Sequence, residues 1–486
     1  MVAQQRVAGD EELDLRRWAA LYVCIAALFM TLLDLSIVNV ALPSIRTSLG
    51  AGVSQLQWVV SGYALAFGMV PIIAGRLGDD RGRRLMLLVG ITGFVLTSVV
   101  VGLAPTPEML IAGRVAQGVS GGLINPQVSG LIQQLFPGRE RGRAFGVLGG
   151  AVGVATATGP VLGGLLIGLG GTQWGWRLTF LLNVPVGITA FVLCRRWLPA
   201  DVTRGQHRHR PLDLTGAGLL ALGVFGVLLP AVQYDSTRDV RVGLLLVPAA
   251  VVLAGFVAWE RGPARRGGHP LIDLGLFRIP SYADGLGVAL LYFAAFTGTP
   301  LVLSLFLQEG LGFSALQSGL TASSFAVGAA VSAPIGGRLL GRYGGRVLVG
   351  ALALFVAGVS AAATLATVFA GTIPDGRLAL LLTGPLLVAG LGGGSVITPN
   401  QALSLAEVDS AGGSTAGGTL QTAQRVGSAL GAAVISAVFY AGAATVLASG
   451  GSARASGFGQ AYATSLLVTL GFAAMALLLA LRSVRR

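Results

Sequence analysis

The chain has 486 residues, 53% of them hydrophobic and only 11% charged, with 74 glycines. Apolar stretches of about 20 residues, enough to cross about 30 Å of hydrocarbon, recur along its length, so it reads as a polytopic membrane protein rather than a soluble one. The net charge of +13 would suggest nucleic acid in a soluble domain, but all 33 basic residues are arginine and their placement follows membrane topology instead.

In chain order, apolar spans are predicted near 18–42, 54–75, 84–104, 107–135, 142–169, 176–198, 212–232, 241–260, 281–307, 315–337, 346–368, 377–404, 414–447 and 459–481. The first ends at "LDLSIVNVALP" without a small-residue cleavage site, which predicts a retained helix rather than a removed signal peptide. Only helices satisfy every backbone amide inside lipid over such lengths, so the expected fold is all-α with fourteen transmembrane helices. An even number of spans puts both termini on one side, and 25 arginines fall on that side against 6 on the other. The positive-inside rule then predicts that both termini face the cytoplasm and that the lipid bilayer of the inner membrane is the host.

Two arginines remain, Arg114 and Arg425, both inside apolar spans. Among acidic residues only Asp34 lies plainly within a span, with Glu309 near an outer end. A charge at that depth costs at least about 2.5–3.5 kcal/mol on insertion scales and marks function by default, although a plain helix-holding pair would use the same residues. His207, His209 and His269 all fall in predicted loops, which excludes an intramembrane histidine relay. Cys24 and Cys194 sit in or beside apolar runs, so neither a disulfide framework nor a metal cluster is expected.

The segment "GRLGDDRGRR" (75–84) packs two aspartates and four arginines between two apolar spans, and "GRLLGRYGGR" (337–346) echoes it with Gly341 where Asp79 would stand. A second echo pairs "GVSGGLINPQ" (118–127) with "GLGGGSVITPNQ" (390–401). Two similar six-span halves are the parallel-repeat pattern of a transporter with a central site. The expected units are an N-terminal bundle (1–198), an inserted hairpin with its linkers (199–280) and a C-terminal bundle (281–486). No charge inside the hairpin points to chemistry.

These motifs resemble the major facilitator superfamily, and within it the fourteen-helix branch of drug:H+ antiporters. "GRLGDDRGRR" is similar to the superfamily's loop between helices two and three, "LDLSIVNVALP" (33–43) to the branch's first-helix signature and "RVAQGVSGG" (114–122) to its fourth-helix motif. "GPVLGG" (159–164) resembles the fifth-helix motif associated with export, and "WGWRLTFLLNVP" (174–185) the entry to helix six. The resemblance implies two six-helix bundles plus an inserted hairpin, and multidrug efflux.

Physical roles follow for each motif. In the charged loop, a latch of Gly75, Asp79, Asp80, Gly82 and Arg83, Asp79 is expected to cap a helix N-terminus of the other half and to pair with a nearby arginine, interactions worth about 0.3–2 and 0–1 kcal/mol. Asp80 stands where the family usually has a basic residue. Gly75 and Gly82 are expected to permit the tight turn of this latch. In "GPVLGG", Pro160 removes an amide donor, while Gly159, Gly163 and Gly164 admit a close neighbour expected from the other half. A buried carboxyl holds its proton and an approaching cation drives it off, so Asp34 and Arg114 are the expected proton-coupling pair. Substrate contacts are expected from Asn39, Trp58, Tyr63, Asn125 and Gln127 in the first half and from Asn400, Gln421 and Arg425 in the second. Asp34 suits cationic lipophilic compounds, while Arg425 leaves anions or zwitterions open.

No Walker A sequence appears, so protons rather than ATP are the expected energy source; no cofactor or metal is implied. No nucleophile–base constellation suggests an enzyme. The expected protein is a monomeric small-molecule antiporter. A lipid or lipopeptide exporter would carry the same motifs; an uptake permease would lack "GPVLGG", and a sensor would carry a larger soluble domain.

Overall fold

Within an apolar chain the backbone amides find partners only along the same segment, and helices result. The computed structural model describes residues 2–198, 213–237, 244–265, 270–448 and 454–485, and every α-helix listed next lies within them. In the first half these are α1 (Val2–Leu49), α2 (Val53–Met69), α3 (Pro71–Arg81), α4 (Arg83–Gly102), α5 (Pro107–Leu135), α6 (Gly138–Leu181) and α7 (Asn183–Trp197). The hairpin is α8 (Leu214–Thr237) and α9 (Leu246–Arg265). The second half holds α10 (Pro280–Leu305), α11 (Ala315–Tyr343), α12 (Arg346–Phe369), α13 (Asp375–Ser404), α14 (Gly413–Ala448) and α15 (Arg454–Arg485). His207, His209 and His269, with most of the predicted linkers, lie outside the described residues.

Local chemistry sets the boundaries. Thr106 accepts from the Met109 amide and Pro107 supplies the first helical φ of α5. Ser314 and Gln317 form a capping box at α11. Pro71 has no amide to donate back, and α2 and α3 meet there as a rod bent by 45°. Within α6 the backbone leaves helical geometry at Gly171 (φ 63°, ψ −169°), a left-handed position suited to glycine, between the predicted fifth and sixth spans.

Among the described residues, nine helices are long and apolar enough to cross a membrane, or ten with the α2–α3 rod counted once. That is fewer than the fourteen expected. The glycine-rich α5 and the hairpin helices are not among the nine. The chain is thus all-helical and multi-pass.

One large apolar cluster draws directly on both halves. That cluster joins Leu87, Ile124, Phe136 and Phe145 to Tyr282, Leu405 and Leu420, close to the arginine-rich segments. At the opposite end each half keeps its own core: Val38, Ile45, Trp176 and Phe180 in the first, Phe306, Phe439 and Tyr462 in the second. The hairpin covers the seam between α2 and α14, packing Leu220, Val224, Leu228 and Phe256 against Leu65, Ile72 and Val426. Its charge content departs from expectation, since Glu260 of α9 is fully buried.

Helix five was expected to bring its motif glycines against the other half. Instead a Cβ on Gly159 would stand 2.5 Å from Ser36 Cβ, and one on Gly163 2.9 Å from Ile37, so both receive α1 of their own half. Gly164 meets nothing within 4 Å, and the Pro160 side chain lies outside what is described. The cross-half glycines come earlier on α6, where Gly146 faces Gly337 and Gly153 faces Ala330 of α11. They approach the other half because α6 is one long rod, with the motif beyond the contact.

Candidate functional site

Two polar constructions occupy this scaffold. The first lies inside the N-terminal bundle, where Asp34 of α1 and Arg114 of α5 are both fully buried and form an ion pair through Arg114 Nη1. The other carboxylate oxygen of Asp34 accepts from Gln117 Nε2 (3.1 Å) and Asn183 Nδ2 (2.9 Å). Gln117 also donates to Ser98 (2.8 Å), and its carbonyl accepts from Arg114 Nη1 (2.7 Å). Arg114 Nε donates to the Val59 carbonyl at 3.1 Å. Three donors, from Arg114, Gln117 and Asn183, converge on one buried carboxylate and hold it in place.

Sequence reasoning missed Gln117, Asn183 and Ser98. A signal existed for the first: three residues beyond Arg114 on a helix, Gln117 shares its face. Asn183 begins α7 inside a quoted motif, and Ser98 is unmarked by pattern.

From this pair an aromatic series leads toward the other half. The Arg114 guanidinium lies 4.2 Å from the Tyr63 ring centroid, and Tyr63 stacks on Phe67 at 5.7 Å with 15° between planes. Phe67 in turn carries the guanidinium of Arg425, from α14, at 4.8 Å. Such cation–π contacts are worth about 0.5–2 kcal/mol, the upper end when dry.

The second construction closes the arginine-rich end. Asp79 accepts from the amides of Ser414 (3.1 Å) and Thr415 (2.8 Å) and from the Thr415 hydroxyl (2.8 Å), capping the start of α14 across the seam. Arg83 donates to Asp79 from Nη2 at 2.8 Å, to the Gly130 carbonyl at 2.6 Å, and to the Ser410 carbonyl of the other half. Asp80 instead pairs with Arg76 at 3.0 Å, one turn back on its own helix. Gly82 has φ 109° and makes the turn. Gly75 does a different job from the one expected: it is helical, and a Cβ there would stand 2.3 Å from the Ser414 carbonyl oxygen, so its bareness admits α14. Gly75→Ala is expected to push α14 off Asp79 and raise the reactivity of a cysteine placed at Ser129 toward a polar thiol reagent. Unchanged protection would deny the close approach its importance.

Further cross-half joints lie at the same end. Gln401 and Gln421 donate to Ser129 at 3.0 and 3.2 Å, Thr398 donates to the Phe145 carbonyl at 3.3 Å, and Arg141 donates to the Leu405 carbonyl at 3.2 Å. Farthest from that end, among the described residues, the Thr422 hydroxyl reaches the Gly68 carbonyl at 3.5 Å.

The expected substrate contacts therefore scatter. Gln127 spends its amide on the Ala74 carbonyl (2.8 Å) and packs on Gly78, Asn400 ties α13 to the Gly285 carbonyl (3.0 Å), and Gln421 is a gate residue. Tyr63 is buried and donates to the Thr31 carbonyl. Asn39 and Trp58 are exposed, and Asn125 and Arg425 are partly so. Asp34 and Arg114 meet; these eight do not form one cluster in this state.

Two apolar helix bundles that share a core at one end, with a buried ion pair inside one of them, define a membrane transporter of two-bundle construction. The chain belongs to the Major Facilitator Superfamily, which its residues 24–432 match. It is 39% identical over 428 residues to the probable actinorhodin transporter of Streptomyces coelicolor, covering 87% of this chain and 73% of that protein. It is 36% identical over 448 residues to puromycin resistance protein pur8 of Streptomyces alboniger, covering 91% and 86%. Among solved structures, the proton:xylose symporter XylE aligns with a TM-score of 0.63 at 16% identity, over 94% of this chain and 95% of that one, a likeness of fold.

Proposed function

We propose that this protein is a proton-driven exporter of small lipophilic antibiotics or toxic metabolites, working by alternating access. The observation that carries the reading is the buried Asp34–Arg114–Gln117–Asn183 network in a half whose hydrogen bonds to its partner, among the described residues, gather toward the arginine-rich end. The names of the two Streptomyces relatives support a small-molecule antibiotic as cargo.

In this reading the arginine-rich end and both termini lie in the cytoplasm, and the protein works as a monomer in the inner membrane. Joining α2 to α3, dividing α6 at Gly171 and joining its last turns to α7 gives fourteen crossings. The latched state then faces outward, with its cargo released and an ionised Asp34 awaiting a proton. Protonation discharges the pair, frees Arg114 and loosens the latch; cargo binding from the cytoplasm brings Arg114 back and expels the proton inward. Cargo charge was expected to be cationic through Asp34. Here both Asp34 oxygens are engaged inside the bundle, and that expectation loses its contact. A lipid exporter would use an open lateral seam, and the hairpin covers the one between α2 and α14.

The test is a drug-susceptibility panel in a pump-deficient host expressing the protein, with and without an uncoupler. Resistance to lipophilic antibiotics that the uncoupler abolishes is expected. Sensitivity equal to the empty host across the panel, or resistance indifferent to the uncoupler, contradicts the proposal.

A further inference from the structure

Arg425 is an interior charge that the transport cycle above leaves unused. It lies three residues beyond Thr422 on α14, just past the last cross-half hydrogen bond among the described residues, and packs beside Gly68 of the opposite half. Its guanidinium rests on the Phe67 ring at 4.8 Å, yet among the described residues it makes neither a hydrogen bond nor an ion pair. The residue is partly exposed.

An unneutralised arginine at such depth is expensive, and its forked donors match a carboxylate in plane and spacing. The acidic group that might have neutralised it, Asp34, is committed to Arg114, Gln117 and Asn183. Beside it the Phe67 and Tyr63 rings, stacked and themselves buried, form an aromatic wall of the opposite half. Charge and wall together describe the ligand. We propose that Arg425 is the recognition cation of the cargo site, and that the site takes organic anions, planar aromatic molecules bearing a carboxylate or comparably acidic group. This rests on the export reading and adds an acidic group to its cargo. An anion binding here touches both halves, through α14 and through Phe67, which is what a cargo must do to bias their rocking.

The experiment is fluorescence binding to the purified full-length protein with 1-pyrenebutanoate, its methyl ester and 1-pyrenemethylammonium. The wild type is expected to bind the acid about ten- to a hundred-fold more tightly than the ester, as one charge-assisted interaction implies, and the ammonium most weakly. In Arg425→Gln the acid and ester converge, and because Arg425 makes no hydrogen bond or ion pair among the described residues its loss strands no polar partner. Arg425→Lys keeps part of the preference, since an ammonium keeps the charge but not the fork. Asp34→Asn keeps the full acid preference while losing proton-coupled export. Failure of export with the acid preference intact counts against the export reading alone. No acid binding, no preference for acid over ester, or a preference that survives Arg425→Gln overturns the proposal.

Discussion

Asp34→Asn is expected to leave a folded protein that no longer concentrates cargo against a gradient. The amide keeps an acceptor for its neighbours but has no proton to exchange, and it leaves Arg114 charged in a dry bundle against neutral acceptors, Val59 and Gln117. One proton moving through 100 mV supplies about 2.3 kcal/mol, which sustains a concentration ratio of about fifty-fold. That ratio should fall toward one in inside-out vesicles energised with a pH gradient, while passive equilibration of cargo continues. Removing one member of a buried pair costs up to roughly 3–5 kcal/mol, so a lowered unfolding temperature should accompany the loss. A variant that still builds the wild-type gradient would remove Asp34 from the coupling mechanism.

The second large effect is expected at the latch. Asp79→Asn replaces a carboxylate that receives two amides and a hydroxyl from α14 and the fork of Arg83. An amide in its place sets donors against donors and strands the Arg83 charge. Loss of about 2–4 kcal/mol from one closed state moves a two-state balance by about thirty- to a thousand-fold. The arginine-rich end should therefore stand open, and export should collapse although Asp34 is untouched. With Cys24 and Cys194 replaced and a cysteine placed at Ser129, a membrane-impermeant thiol reagent supplied from that side should react rapidly in Asp79→Asn and slowly in its parent. Equal rates would mean that the seam is held by its other joints.

Some of this was legible from residues alone, for a physical reason. A carboxylate or guanidinium in an apolar run is costly enough to stand out, and Asp34, Arg114 and Arg425 announced themselves in that way. Asp79 and Arg83 stood out because a positive-inside loop has no need of acid. Neutral partners carry no such mark: Gln117, Asn183 and Ser98 look like ordinary polar residues in glycine-rich helices, yet they complete the Asp34 network. The glycines were visible but their neighbours were not. Gly75 receives the start of α14 more than 300 residues away, and Gly159 receives α1; no local period encodes either encounter. For the same reason Gln127, Asn400 and Gln421, read as cargo contacts, serve as joints between helices here.

The central claim is that cargo and proton compete through Asp34 without sharing a contact. It is tested most directly by adding cargo to the detergent-solubilised protein in weak buffer and following a pH indicator. The account predicts that proton release saturates with cargo binding in the wild type and disappears in Asp34→Asn, with cargo affinity largely kept. Proton release of equal size from both proteins would contradict it.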